Sequence, residues 1–256
     1  MYGFHTIQKK VEYPTLKIND TNIEQVTQFN FLGLILNSRL NWSSHVDHIS
    51  KKISKVIGVL YRLKKLYPQP ILLLLYNTLI LPHFTYCMLV WGSKIVEGHA
   101  LHLLQKRSLR IVVNTEYVAH SEPICKSLNI FKVTDMFKIM IWKFYYKLMN
   151  GILPSYFDIM KPVLPPICDY HDVRRPIFHL PHIMHEFAEQ LIQYQLIRQL
   201  NAEQCSILIT TKVHTHSFVS FKCYIKNTII DSYNVTCERR NCYSCKRLMY
   251  IVEIMV

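Results

Sequence analysis

Apolar and polar residues alternate as in β-strands near the start of the chain and then change to a helical spacing. Two short segments alternate with a period of two, which is typical of half-buried strands. A third segment is a continuous apolar run, which is typical of a more buried strand. We therefore predict three short strands within residues 13–36, over Thr15–Ile18, Ile23–Val26 and Phe29–Leu36.

The helical spacing begins after residue 42 and continues to residue 151. Apolar residues first recur every three or four positions, which places them on one face of a helix. They are Val46, Ile49, Ile53, Val56, Leu60 and Leu63. Ser43 or Ser44 is expected to cap this helix, with Asp47 in its first turn. Further helices are predicted over residues 71–81, 84–91, 98–113 and 134–149, with a short one opening at Glu122-Pro123-Ile124.

Six of the 11 prolines lie in residues 152–182. Such a stretch favours an extended linker and a domain boundary. Beyond it, the pattern predicts a helix over residues 186–200, a strand over 206–213 and a helix over 217–230. The predicted fold is mainly α, with a small N-terminal antiparallel β element, a helical bundle and a smaller α+β C-terminal region. The predicted units are strands 1–42, bundle 43–151, linker 152–182, C-terminal module 183–236 and Cys-rich basic tail 237–256.

The chain is strongly basic, because 30 lysines and arginines face 17 aspartates and glutamates, for a net charge of +13. Lysine and arginine neutralise phosphates and release counterions, so this charge favours a polyanionic partner such as nucleic acid. The alternatives are a solvated basic face and attraction to anionic lipid. Half of the residues are hydrophobic, which excludes a disordered chain.

Two groups of cations are candidates for phosphate contacts. Four residues fall on one face of the first predicted helix, away from its apolar face; they are Lys51, Lys55, Arg62 and Lys65. A second group lies close together on the helix predicted over residues 98–113; it comprises Lys106, Arg107 and Arg110. For each residue, the alternative is an ordinary solvated helix face.

Residues 71–91 form an apolar run that is long enough to span a membrane. Asn77, Pro82 and His83 would need polar partners in lipid, so we favour a buried core helix broken at Pro82 and keep a membrane anchor as the alternative. The first residues do not resemble a signal peptide, which predicts an intracellular location, cytoplasm or nucleus, and not secretion. The eight cysteines are then expected to be free thiols, most of them buried.

Six segments of the chain follow one another in a recognisable order. A strand pair over residues 16–26 precedes a segment over 29–68 that contains Leu32-Gly33, Leu40-Asn41-Trp42, His48-Ile49 and a lysine-rich helix. The other four are residues 72–92, with a mid-run proline and a closing Trp91-Gly92, the helical segment 101–157, the His-x-x-x-Arg element 171–175, and the Ser-x-x-x-Phe-Lys segment 217–226. In this order they resemble the reverse transcriptases of non-LTR (LINE-type) retrotransposons, including Jockey-like elements, from the end of the palm onwards.

The resemblance implies a role for the first two regions. Phe31, Leu32 and Gly33 would belong to the primer grip, which holds the 3′ end of the primer, and Gly33 would permit close approach of a backbone or ligand. The bundle over residues 43–151 would be the thumb, whose basic helix contacts phosphates of the template–primer duplex without reading sequence. For Gly33, the alternative is a glycine that relieves packing in a buried strand.

Two-metal phosphoryl transfer requires clustered carboxylates. The family's catalytic aspartates, which bind Mg²⁺ in the intact parent enzyme, would lie upstream, and this chain has seven aspartates and no Asp-Asp pair. We therefore expect no catalytic residue and no polymerase activity in the isolated chain. The leading hypothesis is a truncated reverse transcriptase remnant that retains non-sequence-specific binding of an RNA/DNA duplex or hybrid. The alternatives are a non-enzymatic helical protein-interaction module, which binds a partner or self-associates, and a degenerate transposon reading frame with no selected function.

The basic tail contains three cysteines, Cys237, Cys242 and Cys245, and two of them have the x2 spacing that can share one zinc ion. The fourth ligand would be Cys223, His214 or His216. The alternative, which we favour, is a basic tail with incidental cysteines. Apart from this zinc candidate, no cofactor is expected.

Overall fold

The computed structural model describes residues 16–93, 99–162, 178, 180–183, 186–202 and 212–233. They form a mainly helical structure with a small N-terminal antiparallel β element, which confirms the predicted fold class. The helices are α1 (Ser43–Leu63), α2 (Gln69–Leu79), α3 (Leu81–Thr85), α4 (Met88–Trp91), α5 (His99–Val112), α6 (Ser121–Ser127), α7 (Val133–Met149), α8 (Ile192–Ala202) and α9 (Phe218–Asp231). Two 3₁₀ helices cover Ser155–Met160 and Glu186–Gln190.

The β element consists of two separate hairpins. Strand β1 (Lys17–Ile18) pairs with β2 (Thr21–Asn22), and β3 (Gln28–Phe31) pairs with β4 (Leu34–Asn37). The prediction of one buried strand over Phe29–Leu36 is therefore wrong, because the chain reverses at Leu32-Gly33. A continuous apolar run does not distinguish a single strand from a hairpin whose turn contains a leucine.

The first helix begins without the predicted cap. Ser43 is the first helical residue, and Trp42 before it is left-handed (φ 59°) with no capping side chain. The Asn41 Oδ1 atom instead accepts hydrogen bonds from the backbone N–H (3.2 Å) and the hydroxyl (2.8 Å) of Ser43. The Asn37 amide also donates to this oxygen, so two asparagines join the end of β4 to the start of α1.

Helix α1 buries one stripe of residues, Ile49, Ile53, Ile57 and Leu60, at steps of three and four. It packs chiefly against α5, and also against β4 and α2. Helix α7 is buried over most of its surface and packs against α4, α5, α8 and α9. One continuous hydrophobic core therefore joins the helices before and after the proline-rich segment.

The helix predicted over residues 84–91 is two helices, α3 and α4, separated at Tyr86 and at Cys87, which is left-handed (φ 49°). Pro82 does not break a helix but lies in the first turn of α3, where no intrahelical partner for its nitrogen is needed. Gly92 closes α4 where α7 approaches closely, since an added Cβ would lie 2.5 Å from the Phe137 ring. Only a glycine fits there.

The described ends of the proline-rich segment contact the helices. The Phe157 ring packs edge-on against Phe144 of α7, with centroids 5.8 Å apart. The backbone of Phe178 exchanges hydrogen bonds of 2.9 and 3.0 Å with the side chain of Asn201 on α8. The unit boundaries stay predictions, but over these parts the segment is folded against the core.

In the C-terminal part, Ser217 caps α9 by accepting a hydrogen bond from the N–H of Ser220, as the helix predicted over 217–230 requires. Residues 212–215 are helical, so the strand predicted over 206–213 is wrong at Lys212 and Val213, and its other residues lie outside the described part. Among the described cysteines, Cys125 is buried, Cys87 is half-buried and Cys223 is exposed. Burial raises the pKa of the Cys125 thiol to about 12, which makes it unreactive.

Within the described residues, no helix is both long enough and apolar enough to cross a membrane. The run over residues 71–91 is divided among α2, α3 and α4.

Candidate nucleic-acid interface

The candidate interface begins at the tip of the second hairpin. Leu32 and Gly33 form a two-residue turn in which both φ angles are positive, 49° and 81°. Such turns match the twist of the flanking strands and favour glycine at the second position. Phe31 and Leu32 are 54% and 73% exposed, so the predicted primer-grip residues project into solvent.

The tip is held against the helices by Tyr86, which lies between α3 and α4. Its hydroxyl donates a 2.6 Å hydrogen bond to the carbonyl of Leu32. A Cβ on Gly33 would lie 3.7 Å from the Tyr86 ring, which is an ordinary contact. The backbone conformation therefore requires the glycine, and neither close approach nor relief of packing in a buried strand is needed to explain it.

Strand β4 of the hairpin is attached to α1 through His45. The Ile35 N–H donates to His45 Nδ1 (3.3 Å), and the ring packs edge-on against Trp91, with centroids 5.2 Å apart. This geometry assigns the proton of the neutral ring to Nε2. Burial, followed by the charges of His48 and Lys52, lowers the pKa of His45, so the ring is neutral where the hairpin needs its acceptor.

Three predicted cations, Lys51, Lys55 and Arg62, are exposed along α1 and define what we call the α1 cationic face. None of them forms an ion pair with any residue that the structure describes. Lys65 is also exposed but follows the end of α1 at Leu63, so the helix does not fix its position. The sequence thus placed three of the four residues on one helix.

The fold brings together one lysine and two histidines that the sequence analysis did not select. His48 and Lys52 lie one turn apart on α1, and His83 of α3 is close enough to both that their charges lower its pKa, after the larger effect of burial. The i, i+4 spacing of His48 and Lys52 is visible in the sequence, whereas the approach of His83 depends on how α3 packs. Lys52 therefore extends the positive surface towards α3, whereas the lowered pKa of His83 favours its neutral form.

The three cations of the second predicted group, Lys106, Arg107 and Arg110, differ in their contacts and exposure. The Arg110 Nε–H donates a 2.8 Å hydrogen bond to the carbonyl of Ala119, and its guanidinium lies 5.7 Å from the centroid of the Tyr117 ring. Burial lowers the pKa of Arg110. The hydrogen bond from Arg110 to Ala119 holds the loop after α5 in place. Lys106 is half-buried, and Arg107 is exposed on α5. Arg110 is therefore structural, and Arg107 is the best placed of the group to reach a phosphate.

The zinc prediction at Cys237, Cys242 and Cys245 lies outside the described residues. Of the suggested fourth ligands, Cys223 and His214 are exposed, and the His216 ring lies 2.9 Å from the Thr215 hydroxyl. Within the described part of the chain, no three potential ligands are grouped around a common metal position.

Comparisons with models of known protein families, with curated proteins and with solved structures give no match for this chain. The family resemblance and the function drawn from it therefore remain proposals.

Proposed function

We propose that this chain binds duplex or hybrid nucleic acid through phosphates, without reading base sequence, on the α1 cationic face. The observation that carries the proposal is the exposure of Lys51, Lys55 and Arg62 along one rigid helix, with no ion-pair partner among the described residues. Lys52, which is also exposed, continues this positive surface towards α3. A helix bearing cations at successive turns can follow a phosphate backbone.

Charge alone supports binding but gives no base selectivity. Lysine acts as a flexible point charge, and phosphate contacts position a protein on nucleic acid without carrying sequence information. The net charge of +13 adds long-range attraction to any polyanion. The expected activity is therefore general affinity that depends strongly on salt.

The resemblance to LINE-type reverse transcriptases supports the same function from a different direction, because it assigns α1 to the thumb and the Leu32-Gly33 turn to the primer grip. We propose that the chain is related to that part of the family and that its activity is binding and not polymerisation. The sequence contains no Asp-Asp pair, the carboxylate arrangement that the family uses to hold Mg²⁺.

Charge reversal on α1 tests this function. The triple variant Lys51→Glu, Lys55→Glu, Arg62→Glu removes three phosphate contacts and adds three repulsive charges. The matched control, Lys17→Glu, Lys161→Glu, Arg198→Glu, changes the net charge equally at three exposed positions outside the face. Affinity for a labelled RNA–DNA hybrid is measured by fluorescence anisotropy, with circular dichroism as the test of folding.

We expect the α1 variant to lose at least tenfold in affinity, since each charged contact contributes about 1 kcal/mol or more. The control is expected to change by less than threefold. Equal losses in the two folded variants would mean that the hybrid responds to net charge and that α1 is no specific contact surface.

A second candidate function is association with another apolar surface, and the two hairpins favour it. Leu16, Ile18, Phe29, Phe31 and Leu32 are all more than half exposed. Exposed apolar residues concentrated in one segment are typical of interaction sites. A second copy of the chain is the simplest partner.

Sedimentation velocity over a range of concentrations tests this candidate. Phe29→Ser with Phe31→Ser should shift the chain towards monomer, whereas Val59→Ser with Val219→Ser, which changes exposed residues on α1 and α9, should not. A chain that is monomeric at every concentration would exclude self-association through the hairpins.

A further inference from the structure

Three lysines from two helices lie near one another where α7 packs against α9. Lys147 of α7 and Lys222 of α9 place their Nζ atoms 5.7 and 5.3 Å from the centroid of the same ring, Phe218. Lys143 lies one turn before Lys147 on α7. Helices α7 and α9 pack directly against each other, so their lysines are held on a common surface.

The charges of Lys222 and Lys147 both act on Lys143. Lys143 is half-buried, and burial, followed by the charges of Lys222 and then Lys147, lowers its pKa. None of the three forms an ion pair with any residue in the described part of the chain. Removing a charge from water without a partner costs free energy, so folded proteins usually provide a counter-charge at such positions. Among the described residues, no carboxylate forms an ion pair with Lys143 to supply that counter-charge.

The ring beneath the lysines is fixed by packing. Phe218 lies against Tyr146, with centroids 5.2 Å apart, and the Tyr146 hydroxyl donates a 2.8 Å hydrogen bond to the carbonyl of His216 just before α9. Phe218 is half-buried, and cations already lie over it. The arrangement suits an anion at the lysines and not a base stacked on the ring.

We infer that Lys143, Lys147 and Lys222 form a second phosphate-binding surface, here called the α7–α9 site, which contacts the backbone of a nucleic-acid strand. That the phosphates belong to nucleic acid rests on the proposed function, whereas the phosphate site itself does not. The site is built by α7 and α9, and the first surface is built by α1, so the charges of each can be removed without changing the other.

A neutralised variant tests the site. Lys143→Met keeps the apolar stem of the half-buried side chain, and Lys147→Gln and Lys222→Gln remove the other two charges. Lys17→Gln, Lys161→Gln, Arg198→Gln is the matched control. Both are compared with the parent chain and with the α1 charge-reversal variant, first with an RNA–DNA hybrid between about 50 and 200 mM salt, and then with inorganic tripolyphosphate in a thermal unfolding assay.

Loss of three phosphate contacts should reduce the slope of log K against log salt by about 2 to 3 in the α7–α9 variant, and the matched control should keep the parent slope. Tripolyphosphate should raise the Tm of the parent and of the α1 variant, and this rise should be largely lost in the α7–α9 variant. Without any ligand, the α7–α9 variant should melt higher than the parent, because an unpaired, desolvated charge has been removed.

The outcomes separate the two surfaces. An unchanged hybrid slope in the α7–α9 variant overturns the contact with nucleic acid, even if tripolyphosphate still raises the Tm through these lysines. Equal tripolyphosphate shifts in the parent and in this variant overturn the phosphate site altogether. In a third outcome, the α1 variant binds the hybrid as tightly as the parent does, whereas the α7–α9 variant loses affinity. The proposed function on α1 then fails and the α7–α9 site stands.

Discussion

The hairpins and the helical bundle are both rich in apolar residues, but the hairpins expose many of these side chains and the bundle buries them. In the hairpins, Leu16 and Phe29 are 65% and 57% exposed. In the bundle, Ile53, Leu60 and Trp142 are almost completely buried. The hairpins are attached to the bundle through Leu34, His45 and the Tyr86 hydrogen bond. The difference teaches that the helices provide the stability of this chain and that the hairpins present surface.

The largest effect should come from removing a core side chain in the bundle. Trp142→Ala is expected to lower the free energy of unfolding by about 3–5 kcal/mol, because a fully buried indole leaves a cavity. Phe29→Ala, on the exposed hairpin, should change it by less than about 0.5 kcal/mol. Urea denaturation measures both, and a similar loss in the two variants would mean that the hairpin is covered in solution.

The next effect concerns a buried polar connection within the bundle. The Gln105 amide donates to the Phe131 carbonyl (2.8 Å) and to the Tyr76 hydroxyl (3.2 Å), and its oxygen accepts from the Val133 N–H (2.7 Å). Gln105→Leu leaves these groups unpaired and should cost about 2–3 kcal/mol. Gln195→Leu, which removes one exposed hydrogen bond to Glu189, is the control and should cost less than about 0.5 kcal/mol. If Gln105→Leu lowers the free energy of unfolding no more than Gln195→Leu does, these buried hydrogen bonds contribute nothing to stability.

Replacing two glycines by alanine should change the stability of the folded chain in opposite directions. Gly33→Ala should destabilise by about 1 kcal/mol, because alanine is strained at a φ of 81°. Gly58→Ala should stabilise by about 0.5–1 kcal/mol, because it lies within α1 and an added Cβ would meet no atom within 4 Å. The Tm from thermal unfolding measures both effects. A lower Tm in both variants would mean that another part of the protein packs against α1 at Gly58.

The smallest effect is a pH dependence at the junction between hairpin and bundle. The pKa of His45 is lowered in the folded state, so below the ordinary histidine pKa of about 6.5 the unfolded chain binds more protons than the folded one. Stability should therefore fall as the pH falls from 6.5, by less than about 1 kcal/mol per pH unit.

His45→Asn keeps an acceptor for the Ile35 N–H but cannot titrate, so it should flatten this pH dependence, leaving the part due to His83, whose pKa is lowered as well. The comparison uses the slope of unfolding free energy against pH and not the absolute stability. A slope equal to that of the parent would show that His45 is not the titrating group.

The sequence predicted the helices well because their signals are local. The periods in α1 and α7 and the serine before α9 are visible without the fold. The hairpin at Leu32-Gly33 was missed because an apolar run carries no marker for its turn. The sequence found the α1 cationic face from spacing alone. It did not show that Arg110 bonds Ala119, that His83 approaches Lys52, or that Lys222 and Lys147 lie over the same Phe218 ring. Those pairings depend on tertiary packing.

The salt dependence of binding by the parent chain tests the central claim most directly. Affinity for an RNA–DNA hybrid, measured between about 50 and 200 mM salt, should fall with a slope of log K against log salt of about −2 to −3 from the α1 cationic face alone, and more steeply with further contacts. The same slope is expected for hybrids of unrelated sequence, since the contacts are to phosphates. Affinity that does not change over this range would contradict a phosphate-binding role for this protein.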